Sequence, residues 1–192
     1  MQDCYEFLYF WPMKPLQILD RFFEPFISEA AISARIKDLA LQMTNDYHGK
    51  NPVFIGILNG SFMFCSDLMR LVNIPCEISF MKCSSYAGTS STGVVKQLFG
   101  LNQDIKGRHI VLIEDIIDTG YTMEFILQEI EKAEPASIKI CTLLFKPEAL
   151  KAPIHADYIG FETENKFLLG YGLDYDGYGR NLPEIYVEVS HQ

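Results

Sequence analysis

The sequence predicts an α/β fold with a mainly parallel central sheet, helices on both faces and a small cap. Three observations carry the prediction. Apolar runs of strand length alternate with helical stretches in units of about 30 residues, the spacing of strand–helix–strand repeats joined by right-handed crossovers. The run RHIVLI at residues 108–113 is apolar without alternation, as in a parallel sheet covered on both faces. That run passes directly into acidic residues, then Asp118-Thr119-Gly120, then a helix, and ligands of open α/β sheets bind beyond the carboxyl ends of the strands.

The elements follow in order. Residues 28–47 read as a helix, with Ser28 as N-cap and Ile32, Ile36, Leu39, Ala40 and Met43 along one face. Asn51-Pro52 interrupts, and Val53–Leu58 suits a buried strand. Asn59-Gly60-Ser61 turns the chain into a helix at 62–72, which Asn73-Ile74-Pro75 ends. Residues 76–83 read as a strand. Residues 84–93 are small, polar and rich in Gly, Ser and Thr, which reads as a mobile loop, and Val94–Phe99 as a further strand. After the turn at Lys106-Gly107 comes the strand 108–113, then a helix at 122–133 stopped before Pro135, then a strand at Ser137–Phe145. From Tyr158 onward, short strands and Gly/Tyr/Asp-rich turns read as a cap on the same body. No linker or repeat divides the chain, so residues 1–192 are expected to form one domain, with a hood drawn from N-terminal residues and 158–192.

Composition narrows the function classes. The chain has 192 residues, 48% of them apolar and 21% charged, and a net charge of -9. An acidic chain lacks the basic footprint of a nucleic-acid partner, whereas a small anionic substrate needs only a local positive site. Five cysteines, irregularly spaced and without a CxxC pair, read as reduced thiols of a cytoplasmic protein. Four scattered histidines lack zinc-ligand spacing. No apolar run reaches the roughly 20 residues that span a bilayer. Residues 5–11 are aromatic-rich and lack the basic region and cleavage site of a signal peptide. They read either as an arm over residues 1–12 that packs on the body or a partner, or as sequence ahead of a start at Met13.

The stretch IVLIEDIIDTGYTM (residues 110–123) carries the chemistry. A helix beginning near Thr122 directs its free N–H groups and positive dipole end at the preceding loop. Gly120 lets backbone approach a ligand, and Thr119 and Thr122 add hydroxyl donors, a combination suited to a phosphate monoester. Glu114 and Asp115 would repel that phosphate unless sugar hydroxyls or a magnesium ion lay between them, since Mg²⁺ shares its oxygen ligands between carboxylates and substrate phosphates. Asp118 lies between the acidic pair and the cradle, where a general base could act. No GxxxxGK[ST] P-loop occurs.

This stretch resembles the phosphoribosyl-diphosphate signature of the type I phosphoribosyltransferases. Further blocks resemble their hypoxanthine-guanine branch: Leu58-Asn59-Gly60-Ser61 with Phe62-Met63-Phe64, then Ser84-Ser85-Tyr86, Leu143-Leu144-Phe145-Lys146, KFLLGYGLDY at residues 166–175, and Arg180. They run in the family's order from about Val53 to Val189. The resemblance implies transfer of a 5-phosphoribosyl group from phosphoribosyl diphosphate to a 6-oxopurine base, with Mg²⁺ as cofactor, in a homodimer or homotetramer. It implies that Asp118, Thr119, Gly120, Tyr121 and Thr122 hold the 5'-phosphate, and that Asp118 takes or shares the purine N7 proton. Glu114 and Asp115 would meet the ribose hydroxyls directly or through magnesium. Lys146 would donate to the purine 6-oxo group, Phe167 would stack on the base, and Leu168 would offer backbone groups to its edge. Asp174 would bind magnesium beside the purine and diphosphate, and Arg180 would grip diphosphate oxygens. Leu58, Asn59, Gly60 and Ser61 would bind diphosphate through backbone N–H groups, with a strained or cis peptide before Asn59. Ser85 and Tyr86 would belong to a lid over the reacting centre.

Three positions depart from the family pattern. Asn59 stands where Lys or Arg is frequent, Gly179 replaces an aromatic, and Tyr121 is bulkier than the usual polar residue. Two other readings stand beside this one. A different acceptor base is the first, although a lysine at 146 only donates and so disfavours an adenine amino group. A non-catalytic phosphoribosyl-diphosphate sensor acting on nucleic acid is the second, and it lacks a basic face to support it.

Overall fold

The structure, a computed structural model, describes residues 15–87, 94–100 and 104–190. The arm at residues 1–12 lies outside the described residues. The chain enters through a hairpin of β1 (Leu16–Ile18) and β2 (Arg21–Ile27), followed by α1 (Glu29–Asp46). Ser28 caps α1 by accepting from the Ala31 N–H, and its five apolar-face residues are all buried, as the periodicity predicts. Then come β3 (Val53–Leu58), α2 (Phe62–Met69), β4 (Glu77–Ala87), β5 (Val94–Phe99), β6 (His109–Ile117), α3 (Tyr121–Glu131) and β7 (Ser137–Phe145). Three short strands finish the fold: β8 (Tyr158–Glu162), β9 (Leu168–Leu169) and β10 (Ile185–Val189).

The central sheet runs β5-β4-β3-β6-β7-β8. All its pairings are parallel except that of β4 with β5. One face is covered by α1 and α2, whose Ile32, Ile36, Leu39, Phe64 and Leu68 cluster with Phe54, Val111 and Leu143. The other face is covered by α3, whose Met123, Ile126 and Ile130 cluster with Ile55, Leu112 and Ile140. A strand buried on both faces has no polar side to expose, which is why these runs do not alternate. A second sheet, the hood sheet, has the order β1-β2-β10-β9 and is antiparallel throughout, whereas β8, expected in the cap, pairs with β7 in the central sheet.

Three boundaries differ from the sequence reading by more than two residues. Residues 84–87, expected in a mobile loop, extend β4, because their backbone pairs antiparallel with β5 from Ser84↔Gln97 to Ala87↔Val94. Sheet pairing there overrides the weak strand preference of small polar residues. The helix α2 ends at Met69 rather than near 72, where the last turn tightens onto the Leu68 carbonyl and the Asn73 N–H is taken by Thr44 Oγ1 of α1. Finally, β6 continues past Ile113 to Ile117, since Ile116 and Ile117 pair with Leu144 and Phe145 of β7. Glu114 and Asp115, expected at the strand end, therefore sit within the strand. Cys65, Cys76, Cys83 and Cys141 are free thiols, and burial raises Cys65 to about 12. Among the described residues, no helix is long and apolar enough to cross a membrane.

Candidate active site

The turn from β6 into α3 makes the cradle that the sequence points to. Gly120 precedes α3 at φ +82, a left-handed conformation that an L side chain rarely adopts. A Cβ there would stand 2.8 Å from Leu150 Cδ1 and 3.1 Å from Ile154 Cγ1, so packing as well as backbone demands glycine. The loop is buttressed from the following segment, where the Lys151 and Ala152 N–H groups donate to the Thr119 carbonyl at 3.0 and 3.1 Å. Asp118, Thr119, Gly120 and Thr122, with Glu114 and Met123, line a cavity of about 120 Å³. Tyr121 is 51% exposed and directs no bulk into that cavity.

Lys146 follows β7 and is buried, 5% exposed. Its main-chain N–H donates to the Ile117 carbonyl at 3.0 Å, which fixes the end of β7 beside the cradle. Its ammonium donates to Asp118 Oδ2 at 2.9 Å. It is not a lysine snorkelling to water, but a buried donor held against a carboxylate that is itself half-exposed.

Of the acidic pair, Glu114 lines the same cavity as Asp118. Among the described residues, Glu114 Oε2 is shut off from solvent and has no hydrogen-bond partner. Burial, and then the neighbouring Asp115 carboxylate, push the Glu114 carboxyl well above its usual range. Burial also raises Asp115, against the hydrogen bond it accepts from the Ile116 N–H and the positive charge of Arg180. An orphaned carboxylate oxygen beside a second carboxylate is a site that a cation would relieve. Mg²⁺ is satisfied by one or two carboxylates together with water and substrate phosphates, so the pair fits that ion. Among the described residues, no group of three or more His, Cys, Asp or Glu side chains could hold a metal alone.

From Asp115 the site continues into the loop at residues 58–61. The Leu58–Asn59 peptide bond is cis, as the resemblance implies. Asn59 is exposed, whereas Ser61 is fully buried and donates from Oγ to the Ile57 carbonyl at 2.6 Å. A Cβ on Gly60 would fall 1.5 Å from Asp115 Oδ2, so loop and carboxylate are in direct contact. On the other side, a Cβ on Gly172 would fall 2.0 Å from the Gly60 carbonyl oxygen. Residues 170–173 thus lie against the loop. Arg180 closes this end, donating to the Gly172 carbonyl at 2.6 Å and pairing with Asp174 Oδ1 at 2.6 Å. Asp174 also accepts from the Gly177 N–H at 2.7 Å.

The hood supplies the last predicted pair. Phe167 is 37% exposed. Its carbonyl accepts from the Glu188 N–H, which makes Leu168 and Val187 a non-hydrogen-bonded pair of the β9–β10 ladder. Leu168 therefore turns its own N–H and C=O toward the outer edge of the hood sheet, where β9 has no further neighbour among the described residues.

The cradle, Asp118 with Lys146, the acidic pair, Gly60, Arg180 and Asp174 thus form one connected series, in which Gly172, given no role by the sequence, joins Gly60 to Arg180. The side chains of Ser85 and Tyr86 lie outside the described residues. A larger groove of about 340 Å³ between α1 and α2 contains none of them. The sequence reading missed the support of the cradle by residues 150–154 and the seating of Gly172 on Gly60. Main-chain donors carry no sequence signal, and a glycine in a Gly-rich turn does not announce which backbone it touches.

Comparison with known proteins agrees with this geometry. Residues 28–176 match the family model described as phosphoribosyl transferase domain. The chain is 46% identical over 160 residues to the hypoxanthine-guanine phosphoribosyltransferase of Streptococcus pneumoniae, covering 83% of this chain and 89% of that one. It is 45% identical over 163 residues to the hypoxanthine phosphoribosyltransferase of Haemophilus influenzae, covering 83% and 91%. A crystal structure of a hypoxanthine phosphoribosyltransferase from Staphylococcus aureus superposes with a TM-score of 0.79 at 39% identity, covering 86% of this chain and 91% of that one. The chain belongs to the type I phosphoribosyltransferase family, in its hypoxanthine-guanine branch.

Proposed function

We propose that this enzyme of purine salvage transfers the 5-phosphoribosyl group of phosphoribosyl diphosphate to hypoxanthine and guanine, giving the nucleoside monophosphate and pyrophosphate. The observation that carries the reading is the pairing of buried Lys146 with Asp118 at 2.9 Å beside the phosphate cradle. A 6-oxopurine presents an acceptor, O6, next to N7, which carries a proton in one tautomer of the base. An ammonium can only donate and a carboxylate only accepts, so the pair matches that edge atom for atom. Without a base the two groups satisfy each other, and with a base each trades its partner for the purine.

In the reaction, N9 of the base attacks C1' of the ribose. The bond from C1' to the diphosphate oxygen breaks, its electron pair leaves with pyrophosphate, and the N7 proton passes to Asp118. Positive charge develops on the ribose ring, so the residues act by positioning and by charge. The cradle of Thr119, Gly120, Tyr121 and Thr122 holds the 5'-phosphate at the N-terminus of α3. Glu114 and Asp115 hold the ribose hydroxyls, or the magnesium shared with them. Arg180 and the N–H groups of residues 58–61 hold the diphosphate, and Asp174 would hold a magnesium ion on that side. Phe167 stacks on the base, and Leu168 reads its edge through the backbone. Ser85 and Tyr86 close over the centre and exclude water. Magnesium, when bound, neutralises charge on the departing pyrophosphate. The protein works in the cytoplasm as a homodimer or homotetramer.

The test is turnover of the purified protein with phosphoribosyl diphosphate, magnesium and, in turn, hypoxanthine, guanine, xanthine and adenine. Turnover with hypoxanthine and guanine is expected, and inactivity with every 6-oxopurine sinks the proposal. The role of Asp118 is tested separately: Asp118→Asn should lower kcat far more than it weakens diphosphate binding. Equal losses would reduce Asp118 to a binding residue.

A further inference from the structure

The tip of the β1–β2 hairpin reaches the ring assigned to stack on the base. Ile18 pairs with Arg21, so Leu19 and Asp20 form a two-residue turn, with Leu19 at φ +54. This turn carries Asp20 and Arg21 onto residues 167–175. The Arg21 guanidinium carbon lies 4.8 Å from the Phe167 ring centroid and 4.5 Å from that of Tyr175. Its Nη1 is 3.2 Å from Glu188 Oε2 on β10, and the Tyr175 hydroxyl donates to Asp20 Oδ1 at 2.7 Å. Phe167 meets Phe23 at 6.2 Å with the planes 46° apart, and Tyr175 at 5.7 Å with the planes 84° apart. Neither ring lies parallel to Phe167. One face is therefore under a cation, two neighbours press on it at an angle, and the residue is still 37% exposed.

We infer that Arg21 is a positioning residue for purine binding: its guanidinium caps one face of Phe167 and fixes the ring so that the base stacks on the other. The inference rests on the reading of Phe167 as the stacking ring. The physical basis is the attraction of a cation to the negative face of an aromatic ring. Here the cation is anchored twice, by the backbone of a tight hairpin and by Glu188, so the ring is ordered before the base arrives. A ring already in place loses less freedom on binding, and affinity for the base rises accordingly. The resemblance assigned no role to residues 20–21, and the pairing across about 150 residues of chain is visible only in the hood.

The test measures binding of inosine monophosphate and of ribose 5-phosphate to the full chain by calorimetry. The second ligand lacks the base and reports the phosphate and ribose contacts alone. Arg21→Met should raise the Kd for inosine monophosphate about two- to fivefold and leave that for ribose 5-phosphate unchanged. Arg21→Lys, which keeps a cation, should fall between Met and wild type. In a Phe167→Leu background, Arg21→Met should have no further effect, because its route to the base is gone. Unchanged or tighter inosine monophosphate binding by Arg21→Met overturns the inference. So does an equal loss for ribose 5-phosphate, or the same loss with and without the Phe167 ring. If Phe167→Leu alone leaves inosine monophosphate binding intact, the stacking assignment itself fails and takes the inference with it.

Discussion

Replacing Lys146 by methionine should separate stability from activity in opposite directions. The ammonium is buried and lies 2.9 Å from Asp118 Oδ2. At an effective dielectric constant of about 20 that separation corresponds to a gross attraction of about 6 kcal/mol. Two effects offset most of it. Taking the ammonium out of water costs several kcal/mol, and the Asp118 side chain is 46% exposed, so solvent screens the pair. A near-isosteric apolar chain removes attraction and desolvation together, so Lys146→Met should fold with a stability within about 1 kcal/mol of wild type, or above it. Asp118→Asn keeps the buried ammonium and withdraws its anion, and it should lose about 1–3 kcal/mol. For the reaction, Lys146→Met loses a charge-assisted hydrogen bond to O6, about 1.5–3 kcal/mol, or roughly 10- to 150-fold in kcat/KM for hypoxanthine. Urea unfolding gives the first pair of numbers and steady-state kinetics the last. A Lys146→Met protein that is destabilised by more than about 2 kcal/mol yet turns over hypoxanthine normally would refute the reasoning, because Lys146 would then be a structural cation.

Two more predictions follow from contacts around the acidic pair. Gly60→Ala places a Cβ on the Asp115 carboxylate, and overpacking of that kind costs about 1–3 kcal/mol. It should weaken phosphoribosyl diphosphate binding on the order of tenfold in calorimetry, and unchanged binding would show that the loop gives way freely. Glu114→Gln concerns pH. Because the Glu114 carboxyl is raised in the folded state, its contribution is fully favourable only below the unfolded carboxylate range and is lost as pH rises through the folded value. In metal-free buffer Glu114→Gln should therefore melt above wild type at neutral pH, with the gap closing toward about pH 4. A gap that widens on acidification would mean that the carboxylate is stabilised in the fold, contrary to its surroundings.

Much of the fold and site is local in origin, and so was legible in the chain. The strands Val53–Leu58 and Ser137–Phe145 appear with the predicted bounds, because each is an apolar run between turn residues. The face of α1 and its Ser28 cap follow from a 3.6-residue period and one hydroxyl. The turn Asp118-Thr119-Gly120 could be placed between strand and helix, since glycine at a left-handed position is a backbone requirement written in one residue. The resemblance then attached purine and diphosphate roles to Lys146, Phe167, Asp174 and Arg180.

What sequence could not supply depends on groups far apart in the chain. Residues 84–87 look like a loop by composition, and only the backbone of β5 makes them a strand. Glu114 and Asp115 read as the end of a strand, and only pairing of Ile116 and Ile117 with β7 places them within it, half-buried. The strength of sheet pairing and the cost of burying a charge depend on what surrounds a residue, and one residue's type does not record its surroundings. The sequence by itself determined the alternation of elements, the phosphate turn and the types of residue available for chemistry. The tertiary structure decided that Lys146 faces Asp118, that Gly60 is gripped between Asp115 and Gly172, and that Arg21 lies over Phe167. Each of these is a contact between segments tens to more than a hundred residues apart, set by crossover and hood topology rather than by local pattern.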